Sequence, residues 1–125
     1  MKHRIFMALL FVLAAFSAIA DVRHNGVPVS LRGTWVADGQ GCNKTDARVV
    51  LSEQGYAGPK GHCAVRWVIE SAGRRGTIYS ARVQCSGTQG SQPGTESDVI
   101  LMPEDVNQLS IGDDFNDMKV YQRCP

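Results

Sequence analysis

No C-x-x-C pair, no G-x-S-x-G element and no helical stripe of apolar residues occurs in this chain. The first absence argues against a zinc knuckle or a thioredoxin-type redox site. The second removes the nucleophile elbow of an α/β-hydrolase around Ser71, Ser80, Ser86 or Ser91, and the third removes an α or α/β fold. Beyond His3 the histidines are His24 and His62, in no spacing that supports a metal site or a triad. The acidic cluster Asp113, Asp114, Asn116 and Asp117 lacks the spacing and glycine of a calcium loop and reads as a turn. The chain is therefore not expected to be an enzyme, and no catalytic residue, metal or cofactor is assigned to it.

Long apolar runs are also missing, except at the start. Lys2, His3 and Arg4 precede an apolar stretch from Ile5 to Phe16, which ends in Ser17-Ala18-Ile19-Ala20. A positive head, an apolar stretch of about twelve residues and an A-x-A pair are the marks of a cleavable secretion signal, too short for a membrane anchor. Residues 1–20 are expected to be removed, leaving 21–125 as a single soluble domain in the periplasm or outside the cell. Lys2 and Arg4 leave with the signal, so 11 basic residues face 12 acidic ones. That balance argues against nucleic acid as a partner.

What the chain does have is four cysteines, Cys42, Cys63, Cys85 and Cys124, all after the signal. An even count in an exported chain points to two structural disulfides. Period-two alternation is clear from Cys63 to Ile69 and from Thr77 to Cys85, on either side of the small-residue turn 71–76. Five further strands are expected at Gly33 to Ala37, Ala47 to Leu51, Val99 to Met102, Leu109 to Ile111 and Met118 to Cys124, with Gly55 to Gly61 and Gly87 to Gly94 as turns. The expectation is all-β: a small antiparallel up-and-down barrel of about seven strands. Trp35, Val65, Trp67, Ile69, Tyr79, Val83 and Val99 are its candidate inward residues, bulky enough to fill it. On that topology Cys63 and Cys85 face each other across a hairpin, and Cys42 and Cys124 share the other end. A miscount of one strand would favour Cys42–Cys63 with Cys85–Cys124.

Gly33-Thr34-Trp35 opens the first of these strands, and Arg123 lies at the end of the last. A G-x-W with an arginine on the closing strand resembles the calycin group, which includes lipocalins, avidins and small bacterial metalloprotease inhibitors. The resemblance implies that Arg123 packs across Trp35 at the closed end of the barrel.

Three stretches are candidate contact elements. Residues 21–30, with Arg23 and His24, read as an extended N-terminal arm, which in the calycin-like protease inhibitors enters the enzyme's cleft. Arg74 and Arg75, between Gly73 and Gly76, put two guanidinium groups on a hairpin tip where carboxylates could meet them. Ser86 to Gly94 is a long polar loop. Size, export, disulfides, the absence of catalytic groups and the calycin-like ends suggest a periplasmic inhibitor of a hydrolase, a protease or a lysozyme, with a protein partner in the cell envelope. The lysozyme inhibitors' S-G-x-x-Y loop is incomplete here, since Ser86-Gly87-Thr88-Gln89-Gly90 lacks the tyrosine. The alternatives are a non-enzymatic accessory of the envelope and, less favoured by a filled interior, a small-ligand carrier. Oligomeric state is left open.

Overall fold

Alternation of apolar and polar side chains, broken by glycine-rich turns, produces nine strands among the described residues: β1 (Val22–His24), β2 (Gly33–Ala37), β3 (Arg48–Ser52), β4 (Gly55–Gly58), β5 (Gly61–Gly73), β6 (Gly76–Cys85), β7 (Thr95–Asp105), β8 (Gln108–Gly112) and β9 (Met118–Arg123). The computed structural model describes residues 21–59, 61–86 and 94–125. The expected signal at 1–20 and most of the Ser86-to-Gly94 loop lie outside the described residues. Strands β2 to β9 pair antiparallel in sequence order, and β9 returns to β2 through Trp35↔Arg123, Val36↔Gln122 and Ala37↔Tyr121. The sheet is thus a closed eight-stranded barrel, which leaves no open edge in its wall.

The strand count differs from the expected seven because Gly55–Gly58, read as a turn, pairs on both sides, with β3 and with β5. Its two glycines hide the strand signal in the sequence, while Tyr56 between them is buried in the core. The arm at 21–30 is also partly a strand: Val22, Arg23 and His24 pair with Glu70, Ile69 and Val68 of β5. After it, Pro28 leads into a 3₁₀ turn at Val29–Leu31 whose Leu31 is buried.

Both disulfides expected from the barrel form, Cys63–Cys85 and Cys42–Cys124. Cys63 and Cys85 are direct cross-strand partners. The second pairing holds for a different reason from the one given by a seven-strand circuit. With eight strands, β2 and β9 run in opposite directions, and Cys124 lies beside the start of β2, where its N–H donates to the Thr34 carbonyl. Residues 38–47 fold back along the outside of β2 to bring Cys42 within 5.8 Å of Cys124, Cα to Cα. Val36, which alternation places on the outer face of β2, is buried and lines a hollow with Cys42 and Gln122.

The interior is packed with Trp35, Val49, Leu51, Tyr56, Val65, Val68, Val83, Val99, Leu101, Leu109, Ile111 and Tyr121. Trp67 and Ile69, expected inside, are on the outer face. A β-bulge between Val65 and Trp67 lets Arg66 intrude, so the alternation changes phase and Val68, opposite Ala81, becomes the inward residue. The filled interior matches what eight strands of bulky side chains allow.

Candidate functional site

In an up-and-down barrel the connections alternate between two ends. One end carries residues 25–32, the Glu53-Gln54 link, the Arg74-Arg75 turn and the 106–107 turn. It is closed by Trp35, only 1% exposed, whose Nε1 donates to the Leu31 carbonyl at 3.0 Å. The Arg123 guanidinium lies 4.2 Å from the Trp35 ring centroid. Its Nη1 and Nη2 donate to the carbonyls of Arg32 and Ser30, each at 2.8 Å, and its Nε reaches the Val106 carbonyl at 3.4 Å. One planar fork therefore ties the N-terminal segment, the β7–β8 turn and β9 together over an aromatic face. Gly33 is needed beside it. Its φ is +135°, and a Cβ there would sit 3.0 Å from Arg123 Nη1. Between the 3₁₀ turn and the β7–β8 turn an apolar cleft of about 220 Å³ opens, lined by Leu31, Trp35, Pro103, Val106 and Leu109.

The β5–β6 hairpin continues beyond its pairing with the neighbouring strands. β1 pairs with β5 only as far as Glu70, and β7 pairs with β6 only from Tyr79 onward. Residues 71–73 and 76–78 therefore pair with each other alone. The expected six-residue turn is tighter than the sequence suggested: the strands continue to Gly73 and Gly76, leaving Arg74 and Arg75 as the turn. Gly76 takes φ +138°, and Gly73 lies so close under Ile78 that a Cβ would overlap the Ile78 side chain. Arg74 and Arg75 are exposed and make no ion pair with a described residue. The remaining candidates, Arg23 and His24, are held by intramolecular contacts on the barrel wall. Alternation along β1 sends Arg23 outward, 4.6 Å over the Trp67 ring, and His24 the other way, where Nε2 donates to Glu70 Oε1 at 2.9 Å. Tyr79, beside them, has its pKa raised by burial and then by the Glu70 carboxylate.

The opposite end carries residues 38–47, the turn after β4, residue 86 onward and the 113–117 turn, in which Asp114 accepts from the N–H groups of Asn116 and Asp117. Its mouth is a hollow of about 140 Å³ lined by Tyr56, Pro59, Ile111, Asp113, Asp117, Lys119 and Tyr121. Burial pushes the Tyr56 phenol up to about 12, helped by Tyr121 and by the Asp113 charge, and burial also raises Tyr121. Neither tyrosine stands out in the sequence as a site residue. Tyr56 was hidden in a stretch read as a turn, whereas Tyr121, two residues before Arg123 on one strand face, could have been found by alternation. Among the described residues no group of three or more metal-ligating side chains comes together. Comparison with known proteins finds no matching family model, curated protein or solved structure.

Proposed function

We propose that this chain is an exported, non-enzymatic binding protein of the periplasm that inhibits a hydrolase by presenting its β5–β6 hairpin to the enzyme's cleft. The observation that carries the reading is the hairpin itself, paired only with itself over 71–73 and 76–78 and tipped by two exposed arginines that make no ion pair with a described residue. A closed barrel supplies a rigid base for it, and the Cys63–Cys85 bridge ties the far ends of the same two strands. Two disulfides belong to an oxidising compartment outside the cytoplasm. Arginine forks meet carboxylates bidentately, and the glycosidases and many proteases carry acidic groups in their clefts. The calycin resemblance of Gly33, Trp35 and Arg123 points to the same class of small inhibitors.

The test is titration of purified mature protein into periplasmic hydrolase activities, muramidase and protease in parallel. The reading expects one activity to fall to zero at a fixed stoichiometry. Recovery of envelope scaffold proteins with no loss of any hydrolase activity favours an accessory role instead and removes the inhibitor reading.

A further inference from the structure

The two ends of the barrel carry complementary features. On the 113–117 turn Phe115 is 61% exposed, with Asp113, Asp114 and Asp117 around it. Asp114 shapes that turn by accepting the Asn116 N–H at 2.7 Å. Over 113–119 three acids stand against one base, Lys119. The other end carries the apolar cleft of about 220 Å³, walled by Leu31, Trp35, Pro103, Val106 and Leu109. Trp35 and Leu109 are buried in the core, whereas Val106 on the rim is 80% exposed and Val29, next to the lining residues Ser30 and Leu31, is 75% exposed. An apolar cavity of about 150 Å³ holds a benzene ring, so this cleft has room for one phenylalanine ring. On the same end Arg74 and Arg75 are exposed and make no ion pair with a described residue. A lone exposed apolar side chain is ordinary. An exposed ring among acids, on a chain whose far end holds an apolar cleft and two arginines without ion pairs, is a matched pair of surfaces.

We infer that copies of this chain associate head to tail, Phe115 of one copy seated in the cleft of the next and the acids beside it turned toward Arg74 and Arg75. The cleft's own acids set that orientation. Glu104 accepts from the Ser110 hydroxyl and Asp105 from the Asn107 N–H, both at the β7–β8 side. Like charges repel there, so the carboxylates of the incoming turn lie on the hairpin side, where arginine forks can meet them. Two different surfaces meet, so the contact is heterologous, and repeating it builds an open row of barrels instead of a closed pair. One ring and a few charges cover much less than the roughly 1,200–2,000 Å² of a stable interface, so the association is weak and reversible. Within such a row the hairpin tip is occupied, so self-association and the proposed hydrolase contact exclude each other.

The test uses the mature, oxidised protein alone, so its outcome does not depend on any hydrolase. Sedimentation velocity from about 10 µM to about 1 mM should show a mean mass that rises with concentration and falls with added salt. Phe115→Asp and Val106→Asp each spoil one of the two surfaces at an exposed position, and both should keep a melting temperature close to that of the wild type. Each variant alone should stay monomeric. An equimolar mixture of the two should form a one-to-one complex and grow no further, because a single intact ring meets a single intact cleft. Arg74→Glu/Arg75→Glu should associate at least tenfold more weakly than the wild type and lose most of the salt dependence. A wild type that stays monomeric at the highest concentration, a mixture that does not associate, or either single variant that associates as the wild type does overturns the inference.

Discussion

Replacing Arg123 by alanine removes a guanidinium that no other residue can replace. Its two 2.8 Å bonds go to carbonyls of the N-terminal segment, and its face covers the Trp35 ring. Hydrogen bonds to a charged donor contribute about 1.5–3 kcal/mol each when buried. Arg123 is only partly buried, so the lower figure applies, and an exposed cation–π contact adds about 0.5 kcal/mol. Alanine should therefore cost about 3.5 kcal/mol, a large share of the roughly 5–15 kcal/mol that holds a domain folded. With a urea m-value of about 1.5 kcal/mol/M, the unfolding midpoint should fall by about 2 M with the slope unchanged. Lysine keeps the charge but loses the fork, and should recover less than half of the loss. The measurement is urea unfolding followed by Trp fluorescence, since Trp35 reports the closed end directly. An alanine variant within about 0.5 kcal/mol of the wild type, or a lysine variant equal to the wild type, refutes the view that this fork clamps the barrel end.

Three further outcomes follow from the same structure. Gly33→Ala should lower stability by about 1–3 kcal/mol in thermal unfolding, because a Cβ at φ +135° meets both backbone strain and the held Arg123 Nη1. Tyr56 should titrate at 295 nm near pH 12 instead of 10. Its folded pKa exceeds the unfolded one, so its contribution is complete below about pH 10 and is lost as pH rises toward 12; Tyr56→Phe should flatten that alkaline decline by about 2–3 kcal/mol. Replacing Cys42 and Cys124 by alanine opens a loop of sequence separation 82 and should cost up to about 4.5 kcal/mol in denaturant unfolding, against about 3.5 kcal/mol for Cys63 and Cys85, whose separation is 22.

The alternation from Thr77 to Cys85 was legible because each inward residue, Tyr79, Ala81 and Val83, is apolar and no bulge intervenes. On β5 the same rule failed after Val65, since one intruding residue changes the phase and nothing in Arg66-Trp67 announces it. β4 was missed because glycines frame it, although a strand needs only its pairing partners and Tyr56 supplies the buried anchor. The disulfides came out correctly from an incorrect count: residues 38–47 double back along β2, a path set by the covalent bridge and by cover for Val36, neither of which periodicity reveals. Of the candidate contact residues, Arg74 and Arg75 stood out through their flanking glycines, whereas the internal partners of Arg23 and His24 depend on strand pairing across more than forty residues.

Charge reversal at the tip of the β5–β6 hairpin tests its proposed role most directly. Wild-type protein and the Arg74→Glu/Arg75→Glu variant, matched for unfolding midpoint, are immobilised and exposed to the same periplasmic extract, and hydrolase activity is measured in the depleted fractions. The account predicts that the wild type depletes one hydrolase activity and that the variant leaves it in solution, with at least a hundredfold weaker inhibition. Equal depletion by both proteins would contradict it.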